Sequence, residues 1–410
     1  MDKVQLIFFY IAGFLVSRLI IKTLLPQRIV YSFIGEKHLS FSRIVFNLIA
    51  ISALLSFFIP NVLTVLTLIP ILELLRQSYE KSTPQSGSFA TMLALSTIYG
   101  ANIGGMGSIT ATPANGILAA FVEAQDVAGK AELTFASWLV WGIPLVICFV
   151  FLAWFILVAV FRPSRFEGTK IELPFSEKEV YHPQQKRTVV ITSIFFILSL
   201  LLSVLMMQFP QYGIPILIIT ALFTLLLFAA LFVFKINMSD NSDEKAPLLV
   251  LADCYSNLPT KGFVFVGIAV ALAGVVYLFD LDSVLGDWIS AFMPADPSSH
   301  SFFFAIALFT SFATEIFSNT AVQLSLFVIA VPTAEALGIS SLTALIIITL
   351  SSTSAFMSPI ATGVNGLAFG GVKHVSFTKM LIVGFIMNIA GAALLSIWVV
   401  YVIDWLYHAV

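Results

Sequence analysis

Two stretches of this chain set small residues, hydroxyls and carboxamides inside otherwise apolar sequence. The first runs from Tyr99 to Asn115, with glycines at 100, 104, 105 and 107, a proline at 113, and the pair Thr112 and Asn115. The second runs from Ser351 to Gly366 and repeats the Thr-x-x-Asn spacing at Thr362 and Asn365. Glycines in series and an interior proline make an unbroken helix costly. Backbone freed at such a break offers carbonyl oxygens to a hard cation such as Na⁺, and the N-terminus of the helix that resumes offers N–H groups to an anion. The competing reading of the glycines is a close helix-packing face. That reading leaves the added Asn, Thr and Pro unexplained.

Polar tips interrupt two further apolar stretches. Ile44–Phe58 and Val62–Leu75 meet at Pro60-Asn61, and Phe302–Phe317 and Ala321–Leu337 meet at Ser318-Asn319-Thr320. Hydroxyl and carboxamide groups both accept, as a cation requires, and donate, as a carboxylate requires. Thr314 lies one helical turn before Ser318, and Ser56 stands in the same relation to Pro60. Thr64 lies one turn along the second arm from Asn61. The alternative is that these residues only cap the hairpin helices. Glu315 is an acid at membrane depth, where ionisable groups face the protein interior; it reads as either a hydrogen-bonding brace or a coupling group. Arg18 sits near the end of its span, where snorkelling accounts for it. The five histidines include no pair at metal-ligand spacing, and Cys148 and Cys254 form no spaced pair.

The elements that must position these residues follow from composition. Only 10% of the 410 residues are charged, 59% are hydrophobic and the mean hydropathy is +1.01, against about 25% charged in soluble domains. Most of the surface therefore faces something other than water. The apolar runs are continuous, not alternating, so the spanning elements are helices and not barrel strands. Long spans read as Val4–Leu24, Leu133–Phe161, Thr188–Met207, Ile214–Phe234, Gly262–Phe279 and Phe377–Ile403. The first is read as a retained span, since no cleavage site follows it. With a net charge of −2, nothing calls for nucleic acid.

The order of elements repeats: span, amphipathic piece (Arg28–His38, then Asp282–Phe292), hinged pair, broken helix, span. The predicted organisation is a first repeat over 1–161 (hairpin 42–77, broken helix 89–121), a cytoplasmic loop over 162–187, two extra scaffold spans over 188–234, a second loop over 235–261, and a second repeat over 262–410 (hairpin 301–338, broken helix 342–371). Corresponding broken segments in two halves point to a binding site near the bilayer midplane. Placing the amino terminus outside puts 17 of the 20 Lys and Arg residues on the inner side, a strong positive-inside asymmetry. Both termini then face outward from an inner (plasma) membrane, and the hairpins open from opposite faces, as inverted repeats require. Cysteines introduced at Lys170 and Asp296 are expected to label from outside only at the second; the reverse pattern would overturn this orientation.

At these residues the sequence resembles the divalent anion/sodium symporters, carriers of dicarboxylates, citrate and sulfate, from about Phe41 onward. That family has two Ser-Asn-Thr hairpin tips, each followed by a broken helix with a Thr-Pro-Pro-Asn-like signature. Thr314 to Thr320 with Ala355 to Thr362 look like its second-half motif, and Ala101 to Gly107 with Thr112 to Asn115 like its first. Three departures stand out. The first tip, Pro60-Asn61-Val62, lacks two hydroxyls; the signatures become Thr112-Pro113-Ala114-Asn115 and Thr362-Gly363-Val364-Asn365; and spans expected before Val4 are missing, as in a shortened member. The resemblance implies a sodium site from Thr314, Ser318, Asn319 and Ala361, and a weaker or altered one from Ser56, Asn61, Gly104 and Gly105. Substrate would lie between, at Asn61, Thr64, Thr112, Pro113, Asn115, Ser318, Asn319, Thr320, Thr362, Gly363 and Asn365.

The function expected is therefore sodium-coupled symport of small anions such as carboxylates or sulfate by an elevator movement. Na⁺ is the one cofactor, the bilayer and the anion are the partners, and a homodimer is compatible. The altered first tip favours a smaller or less charged anion than a four-carbon dicarboxylate. Two alternatives stand: an arsenite-efflux or Na⁺/H⁺ antiporter, which wants an acid between Ser42 and Leu72 that is absent, and a non-transporting receptor or complex subunit. A membrane enzyme is disfavoured because no Ser/His or Asp/Asp pairing lies at membrane depth.

Overall fold

The computed structural model describes residues 2–26, 28–29, 40–80, 87–163, 183–239, 242–255, 299–403 and 406. The expected span Gly262–Phe279 and the amphipathic piece Asp282–Phe292 lie outside these residues, as does most of the piece Arg28–His38.

The chain is an all-α polytopic membrane protein. Its first helices are α1 (Asp2–Lys22), α2 (Phe41–Ser56), α3 (Asn61–Glu80), α4 (Gly87–Gly104), α5 (Pro113–Ala124) and α6 (Phe135–Phe161). Two more, α7 (Pro183–Gln208) and α8 (Gly213–Phe232), precede a small antiparallel hairpin of β1 (Lys235–Ser239) and β2 (Ser242–Pro247) and the short α9 (Leu251–Tyr255). The second half supplies α10 (Ser299–Ala313), α11 (Asn319–Ala336), α12 (Ser341–Ser352), α13 (Gly363–Gly371) and α14 (Phe377–Trp398). Among the described residues six helical stretches are long and apolar enough to cross a membrane. Asn61–Tyr79 is one of them, so the second hairpin arm is longer than the expected Val62–Leu75.

Helix ends sit where side chains satisfy the otherwise orphaned terminal N–H groups. Ser40, Thr112, Thr134, Ser340, Thr362 and Ser376 each cap a helix through the side-chain oxygen. The stretches Phe89–Gly104 of α4 and Ser341–Ser352 of α12 are buried at every position. These two half-helices form the centre. By contrast α7 and α8 turn large apolar side chains outward, among them Ile197 and Leu226 at 62% and 67% exposed, as suits helices facing lipid.

Close packing of α4 on α2 depends on glycine. A Cβ on Gly100 would lie 3.0 Å from the Ile49 carbonyl carbon, and one on Gly104 would lie 2.7 Å from Ala53 Cα. Backbone cannot step aside as a flexible side chain can, so overpacking here should exceed the usual cost of about 1–3 kcal/mol. Gly104→Val is expected to leave little monodisperse protein after detergent extraction. Gly13→Ala, whose new methyl would meet only Phe195 and Thr110 at 3.5 Å or more, should extract like the parent.

The helices α1, α7 and α8 form a second packing unit. Gln5 donates to the Leu202 carbonyl (3.1 Å) and to Thr220 Oγ1 (3.2 Å), and Thr188 donates to Thr23 Oγ1 (3.2 Å). Arg18, expected to snorkel, is instead buried on the packed face of α1, its guanidinium 4.9 Å from the Phe14 ring centroid. At the far end of the first hairpin, Arg76 grips Glu73 through two nitrogens (2.6 and 2.8 Å), and Glu73 also accepts from the Lys373 amide (3.4 Å). This joins α3 to the turn after α13.

Candidate functional site

The two helix breaks are built alike. In the first, α4 stops at Gly104 and α5 resumes at Pro113, with Thr112 Oγ1 accepting from the Asn115 amide (3.4 Å). In the second, α12 stops at Ser352 and α13 resumes at Gly363, with Thr362 Oγ1 accepting from the Asn365 amide (3.1 Å). Each asparagine then reaches back across its break. Asn115 Nδ2 donates to the carbonyls of Gly105 (3.0 Å) and Ser108 (2.8 Å), ten and seven residues earlier. Asn365 Nδ2 donates to those of Ala355 (3.0 Å) and Ser358 (2.8 Å), at the same two separations. Thr-x-x-Asn is thus a device that closes a break: the threonine starts the new half-helix and the asparagine satisfies carbonyls the break has freed. Both asparagines are fully buried with their amide hydrogens turned into the break, so they shape the site from beneath.

The hairpin tips meet these breaks. Ser56 donates to Thr64 Oγ1 (3.1 Å), and both side chains are fully buried. A Cβ on Gly105 would lie 2.5 Å from Thr112 Cγ2 and 3.2–3.3 Å from the two terminal atoms of Asn61. Glycine at 105 is what lets the first tip approach the first break. At the second tip Ser318 occupies the cap position of α11 but makes no side-chain cap bond, so capping does not use its hydroxyl. Thr314, just past the end of α10, donates its Oγ1 hydrogen to the Ser311 carbonyl (2.9 Å), leaving the oxygen lone pairs as acceptors. Asn61 and Asn319, which open α3 and α11, each bury an amide oxygen that has no hydrogen-bond partner among the described residues; so does Asn115.

Four segments far apart in sequence converge here. Asn102 of α4 donates to the Ala355 carbonyl in the second break (2.8 Å) and approaches Asn365 Oδ1 (3.4 Å). Gln323 of α11 donates to the Ala114 carbonyl (2.8 Å) and to Thr349 Oγ1 (3.0 Å). Val62 of the first tip faces Gly363, whose added Cβ would sit 3.5 Å from Val62 Cγ2. Flanking helices hold the breaks from outside: Tyr10 donates to the Ile109 carbonyl (2.7 Å), Trp138 Nε1 to that of Met106 (2.9 Å), and Asn388 Oδ1 accepts from the Phe356 amide (3.3 Å).

Several expected site residues take a different place. Gly100 and Gly104 belong to the continuous part of α4 and serve helix packing against α2. Gly104 lies in the cation set implied by the resemblance, yet its Cα side faces Ala53 and its carbonyl accepts from the Gly107 amide (3.1 Å). Thr64 faces Ser56 within the hairpin, not an open cleft. Pro113 and Gly363 are exposed, while Thr320, Ala361 and Thr362 are half-buried at the break and tip surfaces. Asn102, Gln323, Trp138, Tyr10 and Asn388 were missed. Their one signal is a hydrogen-bonding side chain in an apolar run, which does not reveal its partner.

A family model described as "Sodium:sulfate symporter transmembrane region" matches residues 2–408. The chain belongs to this family. Among curated proteins it is 26% identical over 412 residues to the sodium-dependent dicarboxylate transporter SdcS of Staphylococcus saprophyticus, covering 97% of this chain and 76% of that protein. SdcS of Staphylococcus aureus strain RF122 is likewise 26% identical over 409 residues, with the same coverage of each chain. Family members of this kind are transporters and not enzymes.

Proposed function

We propose that the chain is a sodium-coupled symporter of small anions, such as carboxylates or sulfate, in the plasma membrane. The observation that carries this reading is the pair of orphaned amide oxygens at Asn61 and Asn319, one at each tip, the first beside the break at Gly105 and the second on the tip that Glu315 bonds to the other break. A buried acceptor without a partner costs about 1–3 kcal/mol, and a Na⁺ ion is the ligand that such an oxygen, with neighbouring hydroxyls and carbonyls, would recruit. Thr314, Ser318, Asn319 and Ala361 would hold one ion; Ser56, Asn61, Gly105 and, from its contact with Ser56, Thr64 would hold the other. The anion would bind at the faces left open, by Ser318, Asn319, Thr320, Thr362 and Gly363 with Asn61, Thr112 and Pro113. Asn115 and Asn365 would support that surface from below.

The moving body would comprise both hairpins, both broken helices, and α6 and α14, since Trp138 and Asn388 bond those two helices to the breaks. α1, α7 and α8 would form the scaffold. Between the two bodies, among the described residues, lie the Tyr10 bond, the bond from the Ala136 amide to Ser203 Oγ (3.0 Å), the contact of Thr134 Oγ1 with Met207 Sδ (3.2 Å), and the aromatic contacts of Phe57 and Phe58 with Phe196 (5.7 and 6.1 Å between centroids). Apolar contact around these bonds would let the bodies slide once they break. Purified protein in proteoliposomes should accumulate labelled carboxylate or sulfate only under an inward sodium gradient. Uptake that is unaltered when potassium replaces sodium would overturn the proposal.

A further inference from the structure

Glu315 has no part in the ligand sets above, yet it is the most tightly held side chain at the second tip. It is 1% exposed. Its Oε1 accepts from the Met357 amide (2.8 Å) and from Asn388 Nδ2 (2.7 Å), and its Oε2 accepts from the Ser358 amide (2.6 Å). All three partners are N–H donors. Each carboxyl oxygen therefore accepts at least one N–H bond, an arrangement that a carboxylate satisfies with both oxygens. One side chain thereby ties the tip of one hairpin to the backbone of a break and, through Asn388, to α14.

The corresponding place in the first half contains no such brace. Phe57 follows Ser56 as Glu315 follows Thr314. Gly107 precedes Thr112 by the interval at which Met357 precedes Thr362. Gly142 packs on the first break and Gly384 on the second, and Val146 follows Gly142 as Asn388 follows Gly384. There a Cβ on Gly107 would meet the Phe57 ring at 2.7 Å and Val146 Cγ2 at 3.1 Å. At this place, then, the first tip touches its break through apolar surface, which tolerates displacement. The second is joined by short charge-assisted bonds, which do not.

We propose that Glu315 and Asn388 are positioning residues that make the second tip and the second break a single unit, so that sodium occupancy at Thr314, Ser318 and Asn319 sets the geometry of residues 353–362, while the first tip and break order independently. The proposal rests on the symporter reading for what the geometry controls. The brace itself can be tested without transport.

The test is amide hydrogen exchange of the full chain in detergent, with sodium or potassium, alongside the sodium dependence of uptake. Glu315→Gln keeps the size but turns an N–H toward N–H donors. It should raise exchange across residues 353–362 at least tenfold and erase the protection that sodium confers there, leaving residues 105–112 unchanged. Half-saturating sodium for uptake should rise about tenfold or more, while the substrate KM at saturating sodium moves less than threefold. Asn388→Ala, which leaves two amide bonds to the carboxylate, should shift both readouts in the same direction by less, and it decides the question if Glu315→Gln does not fold. Unchanged exchange at 353–362 in either folded variant would refute the brace. Raised exchange with unchanged half-saturating sodium would refute its link to the ion. Absence of uptake in the parent protein, with the exchange pattern as expected, would instead count against the symporter reading alone.

Discussion

Asn319→Ala is expected to abolish the sodium-dependent rise in melting temperature of the detergent-solubilised protein, and Asn61→Ala to reduce it by less. Sodium at about 100 times its dissociation constant stabilises the folded state by about 2.7 kcal/mol, a few degrees in a chain of this size. At the second tip Asn319 supplies a buried amide oxygen that no hydrogen bond among the described residues satisfies, with Ser318 beside it free of capping duty. At the first tip proline and valine replace the flanking hydroxyls. The structure nonetheless puts two more oxygens close by: Thr64 Oγ1 against Ser56, and the unpartnered Oδ1 of Asn115, which closes the break that Asn61 touches. They explain why the loss at Asn61 should be partial. Potassium in place of sodium should give no stabilisation in any variant. A parent-like sodium shift in Asn319→Ala would remove the second cation site.

The breaks and tips were legible because their chemistry leaves few residue choices. A helix that stops and resumes in an apolar setting needs glycine or proline to stop it, a hydroxyl to cap it and a carboxamide to serve the freed carbonyls. The echo of Thr112/Asn115 in Thr362/Asn365 showed these requirements met twice. The jobs of individual residues were less legible. Glycine serves a break and a close helix contact equally well, so Gly100 and Gly104 read as part of the break although they pack α4 on α2. Glu315 read equally as brace or coupling group, because its partners Met357, Ser358 and Asn388 lie 42 to 73 residues away. Asn102 gave no sign of a partner 253 residues distant. Polar residues announce that they need a partner and stay silent about which one.

The choice of anion turns on the same asymmetry between the tips. The resemblance implies that a dicarboxylate is gripped at both, one carboxylate to each. Here the first tip offers the Asn61 amide beside Val62, whose side chain lies against Gly363. Thr64, the other donor within reach by sequence, is fully buried against Ser56 and so turned toward the proposed cation site. Hydrogen bonds to a charged group are worth about 1.5–3 kcal/mol each; two missing bonds amount to a factor of about 10² or more in affinity. An anion with one strongly held charged group loses little by this, because the second tip keeps Ser318, Asn319 and Thr320. Sulfate or a monocarboxylate is therefore expected to compete for uptake at concentrations where succinate and malate do not, although the SdcS relatives are named for dicarboxylates. Restoring the hydroxyls with Pro60→Ser and Val62→Thr together should raise succinate affinity about tenfold or more and leave sulfate nearly unchanged. Micromolar succinate binding by the parent chain, uncontested by sulfate or monocarboxylates, would show that the second carboxylate finds its donors elsewhere, and the half-helix N-terminus of α5 at Pro113 is the place to look for them.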